Sequence, residues 1–422
     1  MPVDIPVGYM PQNVDSLPLY LVEMLPPELQ LGGQPDSWSV QEVGDGNLNL
    51  VFIVSGLDKT IIVKQALPYV RAAGEGWPLS LSRAFFEYNV LVAERKYAGD
   101  DLVPEVYFYD KNMAVFAMEY LTPHVILRKE LIAGKRFENL TADVGRFLAR
   151  TLFCTSDIGM ESCHKKALVS RFSNNHELCK ITEDLIFSEP YYDAERNNWT
   201  SPQLDEDVKA VWQDTAMIQV AMRYKYKFMT ESQALLHGDL HSGSIMVTEK
   251  ETKVIDPEFG FMGPMAFDIG NYLGNLFFAY FAQEGHQPNI EQRDQYKKWL
   301  LTQIESTWTI FETQFLSLWL EKEIGEAYPN SIYRNSNHSI ALLESSQREF
   351  MRTLFIDSLV NAGLEINRRI IGFAGVADFN EIKDSEIRSH CERKALKMAR
   401  ELIINAEKFE NFKQINQIAA NL

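Results

Sequence analysis

Leu235-Leu236-His237-Gly238-Asp239-Leu240-His241-Ser242-Gly243-Ser244-Ile245-Met246-Val247, followed by Val254-Ile255-Asp256-Pro257-Glu258-Phe259, is the stretch that decides the reading of this chain. A carboxylate after a tight His-Gly turn, a short hairpin, and then two carboxylates at i and i+2 can aim three acids into one cavity. Phosphoryl transfer needs such a set: one carboxylate to orient the attacking hydroxyl and accept its proton, the others to hold Mg²⁺ on nucleotide phosphates. Mg²⁺ is usually held by one or two carboxylates, with phosphates and waters completing its shell. The plainer alternative is that Asp239 caps a turn while Asp256 and Glu258 are solvated loop residues. Three acids beside buried strands would then be costly without a cation.

Upstream, short β-branched runs are punctuated by Gly and Asp. Trp38–Val43, Leu48–Ser55 and Thr60–Gln65 read as strands, and Leu79–Tyr97 as a helix; Glu105–Tyr109 and Ala114–Tyr120 are again strand-like. The first turn, Gly44-Asp45-Gly46-Asn47-Leu48-Asn49, can offer backbone N–H groups to phosphates. Read alone it is a plain hairpin turn more often than a phosphate loop, with neither Gly-x-Gly-x-x-Gly nor Gly-Lys-Ser/Thr spacing. Lys64 ends a β-branched run as a lone cation, and Glu87 on the following helix can pair with it. Met118-Glu119-Tyr120 closes the last strand, where backbone groups can meet an adenine edge.

After Leu121-Thr122-Pro123 the pattern becomes mostly helical, over Asn139–Ile158, Asp205–Phe228, Gln292–Leu320, Ile340–Gly372 and Ile387–Lys408. Two short strands, Ser244–Thr248 and Lys253–Ile255, are embedded among them. The expectation is an α+β, bilobal protein with a β-rich lobe at residues 1–121, an α-rich lobe at 122–422, and the ligand site between them.

The whole chain sets bounds on that reading. It has 422 residues, 46% hydrophobic and 23% charged, ordinary globular usage with ample material for a core. A net charge of −17 without a basic block argues against nucleic-acid or anionic-membrane partners. Four cysteines make no disulfide framework. The start lacks the pattern of a secretory signal, and the longest apolar run, near Leu273–Ala282, is far short of the ~20 residues of a membrane span. A soluble, cytoplasmic protein is expected.

The order of loop, Lys, helix Glu, hinge, catalytic Asp and metal acids resembles the protein-kinase-like superfamily, in its small-molecule branch with choline and aminoglycoside kinases. Within that branch the chain most resembles the methylthioribose kinase family. The resemblance rests on Gly44–Asn49, the His237–Val247 run, Asp256-Pro257-Glu258, the Gly263–Gly270 run and Arg368-Arg369-Ile370, and extends from about residue 20 to 410. Two features depart from most kinases and are shared by this family. Ser244 stands where a metal-binding Asn is usual, as a weaker, neutral ligand, and Asp-Pro-Glu replaces Asp-Phe-Gly, so that Glu258 compensates.

The resemblance implies an ATP- and Mg²⁺-dependent kinase that phosphorylates the 1-hydroxyl of S-methyl-5-thioribose in methionine salvage, working as a homodimer. Asn47 would cover the phosphates and Lys64 contact them; Met118, Glu119 and Tyr120 would hold adenine. Asp239 would act on the sugar hydroxyl, and Asp256 and Glu258 would bind Mg²⁺. Gly44, Gly46, Glu87, His237, Ser244 and Asp268 would be supporting residues, Asp268 by bracing the catalytic turn. Because adjacent helical residues diverge by about 100°, one of the twin arginines is expected to face the cleft. Arg368 is favoured for the sugar, with Arg369 nearer the transferring phosphate. The Trp199 segment resembles a loop lying over the sugar. A kinase for cationic amino alcohols or aminoglycosides fits less well, since two arginines would repel such acceptors. A nucleotide-binding regulator without catalysis fits poorly with Lys64, Asp239, Asp256 and Glu258 all present. Cys163-His164 and His176-x-x-Cys179 lack the ligand spacing of a zinc site.

Overall fold

The computed structural model describes residues 3–44, 48–71, 74–322, 324–333 and 339–422. Helix α1 (Leu17–Met24) precedes β1 (Ser39–Glu42), β2 (Asn49–Ser55) and β3 (Thr60–Ala66). Helix α2 (Arg83–Ala98) then leaves the sheet, and β4 (Val106–Asp110) and β5 (Val115–Glu119) return to it. The five strands are antiparallel in the order β1-β2-β3-β5-β4. Three strands, a helix and two strands is the expected order. The helix begins at Arg83 rather than Leu79, because the chain before it is tied down elsewhere: Leu79 N–H bonds Pro68 O (3.1 Å) and Ser80 N–H bonds the Glu177 carboxylate (2.6 Å).

Alternation along the strands decides which side chains reach the cleft. Ile61 and Val63 pack with Leu17 and Leu21 of α1, and Val115 and Ala117 of β5 join them. Ile62 and Ala66, with Phe116 and Met118 of β5, face the other way, into the core shared with α2. Lys64 lies on that second face, and its ammonium meets Glu87 of α2.

The remainder is helical around small sheets. β6 (Val125–Ile126) leads into α3 (Leu127–Ile132), α4 (Leu140–Cys154), α5 (Ser162–Phe172), α6 (His176–Leu185), α7 (Asp205–Gln213) and α8 (Thr215–Thr230). The stretch expected as one helix over Asp205–Phe228 is thus two. Asp214 breaks it by becoming the cap of α8, its carboxylate accepting from Met217 N–H (3.1 Å). β7 (Ala234–Leu235) pairs with β10 (Met262–Gly263), while β8 (Ile245–Val247) and β9 (Thr252–Val254) form a three-stranded sheet with β6.

Helix α9 (Ala266–His286) is buried on nearly every side, as its aromatic run Tyr272–Phe281 leads one to expect. Helices α10 (Ile290–Glu321), α11 (Asn330–Tyr333), α12 (Ser339–Ile371), α13 (Ala377–Asn380), α14 (Ser385–Ile404) and α15 (Phe412–Asn421) complete the chain. Gly270 sets the approach of α12 to α9: a Cβ there would lie 2.5 Å from Asn361 Cβ and 2.8 Å from Ser358 O. That closeness carries the end of α12, with Arg368 and Arg369, to the turn after β7. No described helix is long and apolar enough to cross a membrane.

Candidate active site

The turn after β7 is held by contacts that leave its carboxylate outward. Gly238 has φ +83°, and a Cβ would sit 2.2 Å from the Phe259 carbonyl oxygen, so only glycine fits. Asp268, in the first turn of α9, accepts from His237 N–H (2.7 Å) and Gly238 N–H (3.0 Å) with its two oxygens. His237 Nε2–H donates to Ile255 O (2.9 Å), and burial pushes the imidazole down to about 4, so it is neutral. The Ser244 hydroxyl accepts from His241 N–H (2.9 Å) and faces Asp239 O at 3.0 Å. The Ser244 hydroxyl is thereby engaged within the turn.

Around Asp239 the charge is positive. Arg368 Nη2 and Arg369 Nη2 each lie 3.6 Å from Asp239 Oδ1, and His241 Nε2 lies 3.3 Å from Oδ2. His241 Nδ1 accepts from Gly243 N–H (2.9 Å), which leaves the ring proton on Nε2, facing Asp239. Burial would raise the Asp239 carboxyl, but His241 and then Arg369 and Arg368 hold it well below the usual carboxylate range. The expectation that one arginine alone faces the cleft is overturned. Fully buried Glu365 sits one turn earlier, at i−3 and i−4, and its two oxygens accept from Arg368 Nε (2.6 Å) and Arg369 Nε (2.8 Å). Both guanidiniums are thereby drawn to one face. Arg128 braces the same loop from outside: its Nε donates to Ser242 Oγ (3.0 Å) and its Nη2 to Asn275 Oδ1 of α9 (2.6 Å).

Across the cleft the charge is negative. Lys64 Nζ binds Glu87 and, at 2.5 Å, Asp256 Oδ1. Burial works against the ammonium, but Asp256 and then Glu87 keep it protonated. Asp256 has φ +70° although it is not glycine and precedes a proline, a strain of about 1–3 kcal/mol of the kind that clusters at functional sites. Glu258 is buried; burial first, then Asp256 and Glu87, push its carboxyl well above the ordinary value. Asn49 Nδ2 donates to Glu258 Oε2 (2.8 Å), and fully buried Arg83 donates through Nε to Asn49 Oδ1 (2.9 Å). The chain from Arg83 to Glu258 therefore joins β2 and α2 to the Asp-Pro-Glu segment.

Of the remaining expected residues, Gly44 lies in the turn after β1, while Gly46 and Asn47 fall outside the described residues. Met118 is buried on the α2 face of β5. Glu119 has its N–H bonded to Glu105 O (2.8 Å) and its carboxylate accepting from Glu105 N–H (3.0 Å), so its side chain is turned away toward β4. Tyr120 is half-buried beside it. The Trp199 indole donates to Asp205 Oδ1 (2.9 Å) and stands edge-on to Trp212, a local anchor, while Asn198 N–H bonds Ile371 O at the end of α12 (3.0 Å). Glu161, Cys163 and His164 gather on the exposed surface, without His176 or Cys179. Glu365, Arg83 and Arg128 were not singled out from sequence as site residues, and Asn49 only as the end of the Gly44–Asn49 turn. For Glu365 a signal existed in its spacing to the two arginines.

A model of the phosphotransferase enzyme family matches residues 39–306. A methylthioribose kinase of Escherichia coli O45:K1 (strain S88 / ExPEC) is 64% identical over 415 residues, 98% of each chain. Methylthioribose kinase 1 of Oryza sativa subsp. japonica is 43% identical over 411 residues, covering 97% of this chain and 94% of its own. Among solved structures, an ethanolamine kinase of Plasmodium vivax aligns over 97% of this chain and 92% of its own, at 13% identity and a TM-score of 0.44.

Proposed function

The chain belongs to the phosphotransferase enzyme family and, within it, to the methylthioribose kinases; on that premise we propose that it transfers the terminal phosphoryl group of ATP to the 1-hydroxyl of S-methyl-5-thioribose. The product would be S-methyl-5-thio-α-D-ribose 1-phosphate, formed in methionine salvage. The observation that carries this reading is Asp239, fixed on a braced turn and shared by Arg368 and Arg369 at 3.6 Å each, facing a nucleotide side built from Lys64, Asp256 and Glu258.

Asp239 orients the sugar hydroxyl and takes its proton as the oxygen attacks the terminal phosphorus and ADP leaves in line. A carboxylate held so low is a weak base, which suits a loose transition state in which the proton moves late and positioning does most of the work. Arg368 and Arg369 bind the sugar and stabilise charge on the transferring group. Lys64, set by Glu87, contacts the phosphates together with Asn47, and the Met118–Tyr120 segment holds adenine. Residues 1–121 serve as the nucleotide lobe, 122–422 as the catalytic and sugar lobe.

Mg²⁺ fits Asp256 and Glu258, two hard oxygen donors whose mutual crowding a dication relieves. Such an ion keeps phosphates and water in its shell beside one or two carboxylates. Bound there, the ion would neutralise phosphate charge. We extend the proposal to a homodimer in the cytoplasm, supported by the family resemblance; light scattering on the purified protein checks the dimer.

Two guanidiniums beside the acceptor disfavour a cationic substrate. The test is ADP release with ATP and Mg²⁺ on methylthioribose, ribose, choline and kanamycin. Turnover confined to methylthioribose is expected; turnover on choline or kanamycin instead would overturn the substrate while leaving the phosphoryl-transfer residues in place.

A further inference from the structure

The ring of His241 has no task in the transfer itself, although it is fixed at both ends and faces the reacting carboxylate. Its backbone N–H donates to Ser244 Oγ (2.9 Å), and its Nδ1 accepts from Gly243 N–H (2.9 Å). The imidazole lies against the Gly243 backbone: a Cβ there would sit 2.8 Å from His241 Cε1 and 3.0 Å from Nδ1. The Arg128 guanidinium carbon lies 3.7 Å from the same position, and Arg128 Nε donates to Ser242 Oγ (3.0 Å), so the loop is held from its outer side as well. With Nδ1 used as an acceptor, the ring carries its proton on Nε2, 3.3 Å from Asp239 Oδ2. The two oxygens of Asp239 are therefore unlike. Oδ2 faces a donor, whereas Oδ1 faces Arg368 Nη2 and Arg369 Nη2 at 3.6 Å each, beyond hydrogen-bond reach.

We infer that His241 is a positioning residue whose Nε2–H holds Oδ2 of Asp239 and so leaves Oδ1 to take the proton of the acceptor hydroxyl. This rests on the phosphoryl-transfer reading of the same site. A carboxylate can turn about its last bond and exchange its two oxygens, and a donor on one of them fixes which faces the acceptor. A separation of 3.3 Å is of the kind that tightens once substrate is bound. As the bond from the sugar oxygen to phosphorus forms and the bond from phosphorus to the ADP oxygen breaks, the hydroxyl proton passes to Oδ1. His241 does not carry it further, because a proton on Nδ1 would set two N–H groups against each other at Gly243. The ring orients the base and is not a relay, so its loss acts on the chemical step and spares nucleotide binding.

The two ring nitrogens can be replaced one at a time. His241→Asn keeps an acceptor near the place of Nδ1 for Gly243 N–H but gives up the donor to Asp239. His241→Gln puts an amide N–H near the place of Nε2 but gives up the acceptor. The test measures kcat and KM for methylthioribose and ATP-Mg²⁺, with the melting temperature, in the wild type and both variants. His241→Asn should lower kcat by roughly 10- to 100-fold, the scale of removing a hydrogen bond to a charged group, with KM for ATP near the wild type. His241→Gln should recover most of that loss even where its melting temperature is the lower of the two. A ring that only supports the turn gives the opposite order. His241→Asn with wild-type kcat, or His241→Gln no faster than His241→Asn, would overturn the inference alone. A wild type that does not phosphorylate methylthioribose would overturn it together with the reading it rests on.

Discussion

The two sides of the cleft are mirror images in charge. On the proposed nucleotide side one ammonium, Lys64, faces three acids, Glu87, Asp256 and Glu258. On the acceptor side one acid, Asp239, faces two guanidiniums and an imidazole. The same physics gives opposite results. Glu258 is pushed up because burial and neighbouring carboxylates oppose its charge, whereas Asp239 is driven down because cations outweigh burial. An acid-rich wall suits a dication carrying polyphosphate, and a cation-rich wall suits a neutral sugar that gains a phosphate. The inner supports differ too. The arginines share Glu365 on their own helix, while Glu258 depends on Asn49 and Arg83 from distant parts of the sequence.

The largest break in this contrast comes from removing Asp239, the acid that both arginines and His241 surround. Asp239→Asn is expected to lower kcat by about 10³-fold, within the range for a general base, with ATP affinity by calorimetry nearly unchanged. Strong residual turnover would remove Asp239 from the reaction. Next is the shared support of the arginines: Glu365→Ala strands two buried guanidiniums and is expected to cost about 3–5 kcal/mol, read by chemical denaturation. A loss under about 1 kcal/mol would mean that the arginines find other partners.

A smaller effect sharpens the nucleotide side. The raised Glu258 carboxyl means that the folded protein binds a proton that the unfolded chain has already released at the same pH. Metal-free stability should therefore fall as pH rises through the window above the ordinary glutamate value near ~4.5. Glu258→Gln should flatten that slope and raise the Mg²⁺ needed for half-maximal activity. An unchanged slope and metal titration would take Glu258 out of the acid cluster.

Legibility in the sequence followed the range of the interaction. The sheet order of elements, the catalytic turn, the Asp-Pro-Glu acids and the Lys64–Glu87 pair could be read because each sits on a local pattern: alternation, a glycine turn, or a helix flank. Asp268 was expected as a brace only through the family resemblance, to which the Gly263–Gly270 run contributes. The arginines were misread because helical geometry fixes where Cα–Cβ bonds point, not where long side chains end. Glu365 redirects both. Arg83 and Arg128, and the side-chain role of Asn49, were invisible for a different reason. Their partners are remote in sequence, Glu258 being 209 residues from Asn49, and nothing local distinguishes them from solvated polar residues.

The most direct test of the divided cleft is a crossed kinetic experiment, with ATP and methylthioribose each titrated against Arg368→Ala and Glu258→Gln. The account predicts that Arg368→Ala raises KM for the sugar by about tenfold or more, the scale of losing a hydrogen bond to a charged group, and leaves KM for ATP-Mg²⁺ near the wild type. Glu258→Gln should do the reverse. Equal effects of both variants on both substrates, or a sugar KM that answers to Glu258 and an ATP KM that answers to Arg368, would contradict it.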